Sequence, residues 1–66
     1  MRRTLMQKPY SSHPDDHYLS IVLCEIDNTL TPYVVWLKNS DCGGYYDGFY
    51  AESLDKAVEN FNKRGV

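Results

Sequence analysis

The sequence predicts an α+β fold, in which a three-stranded antiparallel sheet is followed by one C-terminal helix packed on one face. Three observations support this prediction. Apolar and β-branched runs of strand length recur between residues 18 and 51. Short segments rich in Asp, Asn, Gly and Pro separate these runs, which favours antiparallel neighbours. From Ser53 onward the apolar period changes from two residues to that of a helix.

The three predicted strands follow one another through short connections. The first is YLSIVLCEI at residues 18 to 26, and Asp27 and Asn28 supply the turn after it. The second is YVVWLK at residues 33 to 38. Pro32 has no N–H for a ladder, so it belongs at the start of that strand. The third is YYDGFYA at residues 45 to 51, with Gly48 as a candidate bulge.

The C-terminal helix has the clearest pattern in the chain. Its apolar positions are spaced so that they form one face, and they are Leu54, Ala57, Val58 and Phe61. Ser53 is the predicted N-cap because its hydroxyl can accept an otherwise unpaired N–H of the first turn. Acidic side chains near the start and basic ones near the end suit the helix dipole, and Gly65 can close the helix.

The predicted boundaries are a flexible N-terminal arm at residues 1 to 16 and one small domain at residues 17 to 66. The arm lacks an apolar period and contains Pro9 and Pro14. No secretion signal or apolar run of membrane length is visible, and two cysteines are too few for a disulfide scaffold. We therefore expect a cytoplasmic protein with reduced thiols.

Acidic residues dominate the predicted domain. Nine acids lie between residues 15 and 59, and only Lys38 and Lys56 oppose them. An acidic body repels phosphate backbones and is attracted to basic surfaces, although solubility alone is an alternative explanation. We therefore expect a host protein partner with a basic surface, and we do not expect direct binding to nucleic acid.

One short helix can cover only one of the two apolar faces of the predicted sheet. If it covers the face with Leu19, Ile21, Leu23, Val34 and Trp36, the face with Val22, Ile26, Val35 and Leu37 stays exposed; the opposite choice is the alternative. An exposed apolar patch usually marks an interface. We therefore expect a homodimer, or burial of this face against a larger partner. In a monomer, the arm would cover the face with Leu5, Met6 and Tyr10.

His-Pro-Asp-Asp at residues 13 to 16 resembles the start of the metal-site motif of zinc-dependent sugar deacetylases. The resemblance implies that His13 and Asp16 bind the metal and that Asp15 acts as the base. Those enzymes place the motif after a buried strand of a much larger α/β sheet and use a further His much later in the chain, and this sequence has neither. His13 and His17 alone do not supply the three fixed ligands of a catalytic zinc. We therefore expect no metal, no cofactor and no enzymatic activity.

The candidate partner-binding residues lie on or beside the predicted strands. Tyr and Trp anchor protein interfaces at a low entropic cost because their rings are rigid. Tyrosines also occur in sheets simply because they are good strand formers, which is the alternative explanation. The candidate set combines aromatic and acidic groups and comprises Glu25, Tyr33, Tyr45, Tyr46, Asp47 and Tyr50.

The segment GGYYDGFYAESLDKAVENFNKR at residues 43 to 64 resembles the last strand and helix of plant AP2 domains and of the arm-binding domains of phage tyrosine recombinases. The resemblance implies a sheet that reads DNA through basic residues. Here the predicted sheet offers Lys38 against Glu25 and Asp47, whereas phosphate contacts supply most non-specific affinity. A DNA-binding protein of this type is therefore the alternative function.

Residues 31 to 61, TPYVVWLKNSDCGGYYDGFYAESLDKAVENF, resemble the opening of plasmid ArdA-type antirestriction proteins. The shared features are a Tyr-Val strand, a Gly-containing loop, a Gly-aromatic strand and an acidic helix. A very small single domain with an acidic body is also similar to phage anti-CRISPR proteins. These resemblances imply a non-enzymatic protein-binding module, encoded by a mobile element, that inhibits a host nucleic-acid-processing or defence complex.

Overall fold

The computed structural model describes residues 2–10 and 18–64, which form one antiparallel sheet and one helix. The elements are β1 (Arg3–Pro9), β2 (Leu19–Glu25), β3 (Tyr33–Asn39), β4 (Gly44–Ala51) and α1 (Leu54–Lys63). The strands are ordered β1-β2-β3-β4, and each is antiparallel to its neighbour. The α+β class and the helix packed on one side of the sheet are confirmed. The prediction of three strands is wrong, because the described sheet has four.

The additional strand, β1, lies in the segment predicted to be a flexible arm. It pairs with β2 from Arg3, opposite Glu25, to Pro9, opposite Ser20. The Arg3 Nη2 donates a hydrogen bond of 2.7 Å to Glu25 Oε1 at the end of this ladder. Backbone pairing with the β2 edge orders the segment without a buried apolar face, so its sequence shows no apolar period. The rest of the arm, residues 11 to 17, lies outside the described residues.

The register between β2 and β3 decides which side chains lie under the helix. Leu23 lies opposite Val35, and Ile21 lies opposite Leu37. Residues that are directly opposite each other project to the same face of a sheet. The expectation that Val34 and Trp36 share a face with Leu19, Ile21 and Leu23 is therefore wrong. We call the face with Ile21, Leu23, Val35 and Leu37 the helix face, and the opposite one the second face.

The loop between β2 and β3 determines this register. The Ile26 N–H donates a hydrogen bond of 2.8 Å to the carbonyl of Pro32. The side-chain Oδ1 of Asn28 accepts hydrogen bonds from the N–H groups of Leu30 and Thr31 at 3.0 and 3.1 Å. Asn is favoured in such turns because its side chain can bind nearby backbone N–H groups. The turn aligns the strands so that the odd-numbered residues of β3 face α1.

The core on the helix face is made by α1 and the three strands that follow β1. Its buried members are Ile21, Leu23, Val35, Ala51, Ala57 and Phe61. Ser53 is the N-cap, as predicted, and its Oγ accepts a hydrogen bond of 3.3 Å from the Lys56 N–H. The expected closure of the helix by Gly65 lies outside the described residues. Within residues 2–10 and 18–64, no helix is long and apolar enough to cross a membrane.

Both outer strands of the described sheet are irregular. The β1–β2 register shifts between Thr4 and Met6, and the β3–β4 register shifts between Val35 and Leu37. In the second bulge Asp47 has a φ of 56°, in the left-handed region that non-glycine residues seldom occupy. Bulges twist an edge strand and disfavour pairing with another chain. Partner binding is therefore better argued from the faces of this sheet than from its edges.

Candidate functional site

Three aromatic side chains form a cluster on the second face. The ring centroids of Trp36 and Tyr45 are 4.7 Å apart with an interplanar angle of 40°. Tyr50 contacts Trp36 edge to face, with centroids 6.3 Å apart and an interplanar angle of 82°. Aromatic pairs prefer tilted and edge-to-face arrangements such as these. We call Trp36, Tyr45 and Tyr50 the aromatic cluster.

The β3–β4 ladder positions the cluster, and Gly48 makes room for it. Tyr45 lies opposite Lys38 and Tyr50 opposite Val34, so Trp36 lies between the two tyrosines along β3. A Cβ at residue 48 would lie 3.2 Å from Tyr50 Cε1 and 3.6 Å from Trp36 Cε3. Glycine in the bulge therefore lets the rings approach the backbone of β4.

A buried apolar layer supports the cluster. It consists of Val22, Cys24 and Val34, with Ile26 and Trp36 packed against it. The Thr4 hydroxyl and the Cys24 Sγ are 3.8 Å apart at the side of this layer. The expectation of a homodimer rests on exposed aliphatic side chains. Here Val35 and Leu37 lie on the helix face and Val22 is 1% exposed, so that reason does not apply, and the homodimer stays a prediction.

Arg2 lies over the cluster. Its guanidinium carbon is 4.3 Å from the ring centroid of Tyr45 and 5.7 Å from that of Trp36. A guanidinium over an aromatic face is attracted by the negative potential of the ring. Nothing in the residue pattern near Arg2 indicates this contact, because it joins the start of the chain to the start of β4.

The structure separates the six residues predicted to bind a partner. Tyr45 and Tyr50 lie together on the second face. Tyr33 and Tyr46 project to the helix face, where Tyr33 packs against the core. Asp47 lies in the bulge of β4, and Glu25 is paired with Arg3. Trp36 and Arg2 are the members of the site that the predicted set lacks.

The charge on the second face differs from the expectation of an acidic body. Among its described ladder positions, which include Ser20, Lys38, Thr4 and Gln7, none is a carboxylate, and Arg2 adds a second cation. The sheet also includes β1, whose Arg3 and Lys8 offset part of the acidic charge, and the net charge of the whole chain is −2.

A separate feature lies in the loop before β4, where Cys42 is exposed. Its Sγ is 3.2 Å from the Tyr46 hydroxyl. The hydrogen bond from Tyr46 lowers the pKa of the Cys42 thiol below its ordinary value because it stabilises the thiolate, and a backbone hydrogen bond at Gly44 acts in the same direction. The same contact raises the pKa of Tyr46. Cys24, in contrast, is fully buried.

We expect Cys42 to react with iodoacetamide in the folded protein and Cys24 to react only after unfolding, because the thiolate is the nucleophile and must be accessible. Tyr46→Phe removes the donor, so the pH at which Cys42 alkylation reaches half its maximal rate should rise. Mass spectrometry of the two cysteine peptides over a pH series measures this. Cys24 labelling in native buffer, or an unchanged pH profile in the Tyr46 variant, would contradict the assignment.

Candidate metal ligands do not come together in the described part of the chain. Residues 2–10 and 18–64 contain no group of three or more His, Cys, Asp or Glu side chains that could hold a metal ion. His13, Asp15 and Asp16, implied by the deacetylase resemblance, lie outside those ranges. Comparison with protein-family models, curated proteins and solved structures finds no significant match to the chain.

Proposed function

We propose that the chain is a non-enzymatic protein-binding module and that the second face is its docking surface. The observation that carries this proposal is the aromatic cluster of Trp36, Tyr45 and Tyr50 with Arg2 above it. Trp, Tyr and Arg are the residues that contribute most often to the energetic centres of protein interfaces. Rings held by mutual packing lose little conformational entropy when a partner binds.

The cluster is both supported and accessible. Val22 and Val34 are buried on the same face, and Trp36 packs against them, so its ring has a fixed support. Tyr50 remains 53% exposed and presents one edge of the cluster to a partner. A surface that combines a rigid apolar centre with polar groups at its margin has the usual anatomy of a protein interface.

The class of partner is inferred from the resemblance of residues 31 to 61 to ArdA-type proteins and from the similarity to anti-CRISPR proteins. On this basis the module is encoded by a mobile element and inhibits a host nucleic-acid-processing or defence complex. Host complexes that process nucleic acid have basic clefts that bind the phosphate backbone. Occupation of such a cleft by this small domain would exclude the nucleic acid and block the complex without any chemical step.

The proposal is tested with two tyrosines of β4 that have similar exposure but lie on opposite faces. Tyr50 is 53% exposed on the second face, and Tyr46 is 49% exposed on the helix face. Host proteins captured by the immobilised chain are purified, and their affinity for each variant is measured by calorimetry. We expect Tyr50→Ala to raise the Kd about tenfold or more and Tyr46→Ala to leave it nearly unchanged.

The reverse order of the two effects would place the docking surface on the helix face and overturn the proposal. Equal losses in both variants would do the same, because they would indicate a general effect on β4. Circular dichroism of both variants establishes that each is folded before affinities are compared. Leu30→Ala is a further control, since Leu30 is exposed in the loop between β2 and β3 and should have no effect.

Binding of single-stranded nucleic acid is the second candidate function, and one observation favours it. The second face carries Arg2 and Lys38 and has no carboxylate at its described ladder positions. Exposed rings with nearby cations can stack bases and contact phosphates. This function predicts binding to a fluorescent oligonucleotide that weakens strongly between 50 and 200 mM salt. Absence of binding at the lower salt concentration would exclude it.

A further inference from the structure

We propose that Trp36 and Tyr45 form a binding site for a guanidinium or ammonium group of the partner protein, and that Arg2 occupies this site in the free chain as an internal ligand. The inference rests on the proposed function, because it assigns a partner chemistry to the same docking surface. It also explains how a face whose described ladder positions carry no carboxylate can bind a basic surface, because the rings attract the cation.

The geometry shows that the two rings already bind a cation. The Arg2 guanidinium carbon lies within 6 Å of both ring centroids, at 4.3 Å from Tyr45 and 5.7 Å from Trp36. This is the range in which a cation is attracted by an aromatic ring, and Trp binds cations best. Lys8 makes the other cation contact in the described chain with Phe61, on the helix face. The Trp36–Tyr45 site is thus separate from the core.

The position of Arg2 in the sheet shows that its contact is not imposed by strand pairing. Arg3 lies opposite Glu25 at one end of the β1–β2 ladder. Tyr45 lies opposite Lys38, which in turn lies opposite Ser20 near the other end. The Arg2 guanidinium nevertheless lies over the rings of Tyr45 and Trp36, while Arg3 is paired with Glu25.

We expect a cation of the partner to replace Arg2 at this site, and we do not expect it to bind beside Arg2. Lys38 is the direct neighbour of Tyr45 on the ladder, so a second cation beside Arg2 would be repelled. Displacement of Arg2 by an Arg or Lys of the partner keeps a single cation over the two rings. Cation–π contacts at exposed sites are weak, and Arg2 itself is exposed, so this displacement is readily reversible.

When Arg2 occupies the site, the apparent affinity for an outside cation equals the intrinsic affinity multiplied by the fraction of molecules whose site is free. Removal of Arg2 should therefore strengthen binding of a cationic partner. Removal of Arg2 should instead weaken the binding of nucleic acid or of an acidic protein, because the positive charge of Arg2 attracts such partners. The sign of the Arg2 effect distinguishes these partners.

The experiment is an NMR titration with the peptide acetyl-Gly-Arg-Gly-amide. The single Trp of the chain provides an isolated indole N–H signal, and the Tyr45 ring signals provide a second probe. We expect the Kd of the peptide to fall about three- to sixfold in Arg2→Gln relative to the unmodified chain. Arg3→Gln is the matched control, because Arg3 binds Glu25 and its loss should not change the Kd. Acetyl-Gly-Gln-Gly-amide should cause no shift.

An unchanged or higher Kd in the Arg2 variant would overturn the inference. If Tyr50→Ala still weakens binding of the captured host partner in that case, the docking surface is supported and only the cation site is excluded. Weaker oligonucleotide binding in Arg2→Gln, with no peptide binding, would overturn the inference in favour of a nucleic-acid surface. Arg2 precedes β1, so the variant keeps the strand ladder, and its folding is checked by the dispersion of the backbone amide spectrum.

Discussion

Phe61→Ala is expected to lower the free energy of unfolding by about 3–5 kcal/mol, the usual cost of removing a buried ring. Phe61 is 4% exposed and packs in the core with Ile21, Leu23 and Val35. It is also the α1 residue over which Lys8 Nζ lies, 4.8 Å from the ring centroid. A chain of 66 residues has a total stability of only about 3–10 kcal/mol, so this single change removes a large part of it.

Thermal unfolding followed by circular dichroism measures this prediction. The Tm should fall by more than about 12 °C. Phe49→Ala is the control, because Phe49 projects to the same face but is 37% exposed, and its loss should cost about 1 kcal/mol. Similar shifts in the two variants would show that α1 is not held to the sheet through Phe61.

Val34→Asp is expected to prevent stable folding at neutral pH. Val34 is 0% exposed, and its buried neighbours on the second face are Val22 and Cys24. The described residues of this layer supply no positive partner, and burial of an unpaired carboxylate costs several kcal/mol. The cost is comparable with the whole stability of the domain, so the variant should show an unfolded amide spectrum.

The cross-strand neighbour of Val34 provides the control for this second prediction. Tyr50 lies directly opposite Val34 on β4 but is half exposed, so Tyr50→Asp should remain folded and lose about 1 kcal/mol or less. The spectra of both variants are compared with that of the unmodified chain. A folded Val34 variant would show that the second face is open to water rather than a buried layer beneath the aromatic cluster.

Most of the secondary structure follows from local sequence patterns. The helix predicted from Ser53 onward is α1, because its apolar period and its N-cap both act within a few residues. The strand runs predicted at residues 18 to 26, 33 to 38 and 45 to 51 correspond to β2, β3 and β4 with small differences at their ends. The bulge expected near Gly48 is also present.

The candidate site could be predicted only in part. Residue type alone indicates Tyr45 and Tyr50, since aromatic side chains on strands favour interfaces. Tyr45 and Tyr46 alternate as neighbours in a strand do, but a register shift within β4 reverses the alternation after Asp47 and places Tyr50 on the face of Tyr45 instead of that of Tyr46. A local pattern with a period of two residues cannot show such a shift, so the predicted set mixed the two faces.

The class of the fold, the helix with its cap and three of the strands follow from the amino-acid sequence, because each depends on interactions between residues close in the chain. Tertiary structure alone decided that β1 joins the sheet, that Val35 rather than Val34 lies under α1, and that Arg2 lies over Tyr45. The physical reason is common to all three. Each of these features joins segments that are far apart in the chain: backbone pairing at a strand edge, the register of two strands, and a cation–π contact. The composition or apolar period of one segment therefore cannot predict them.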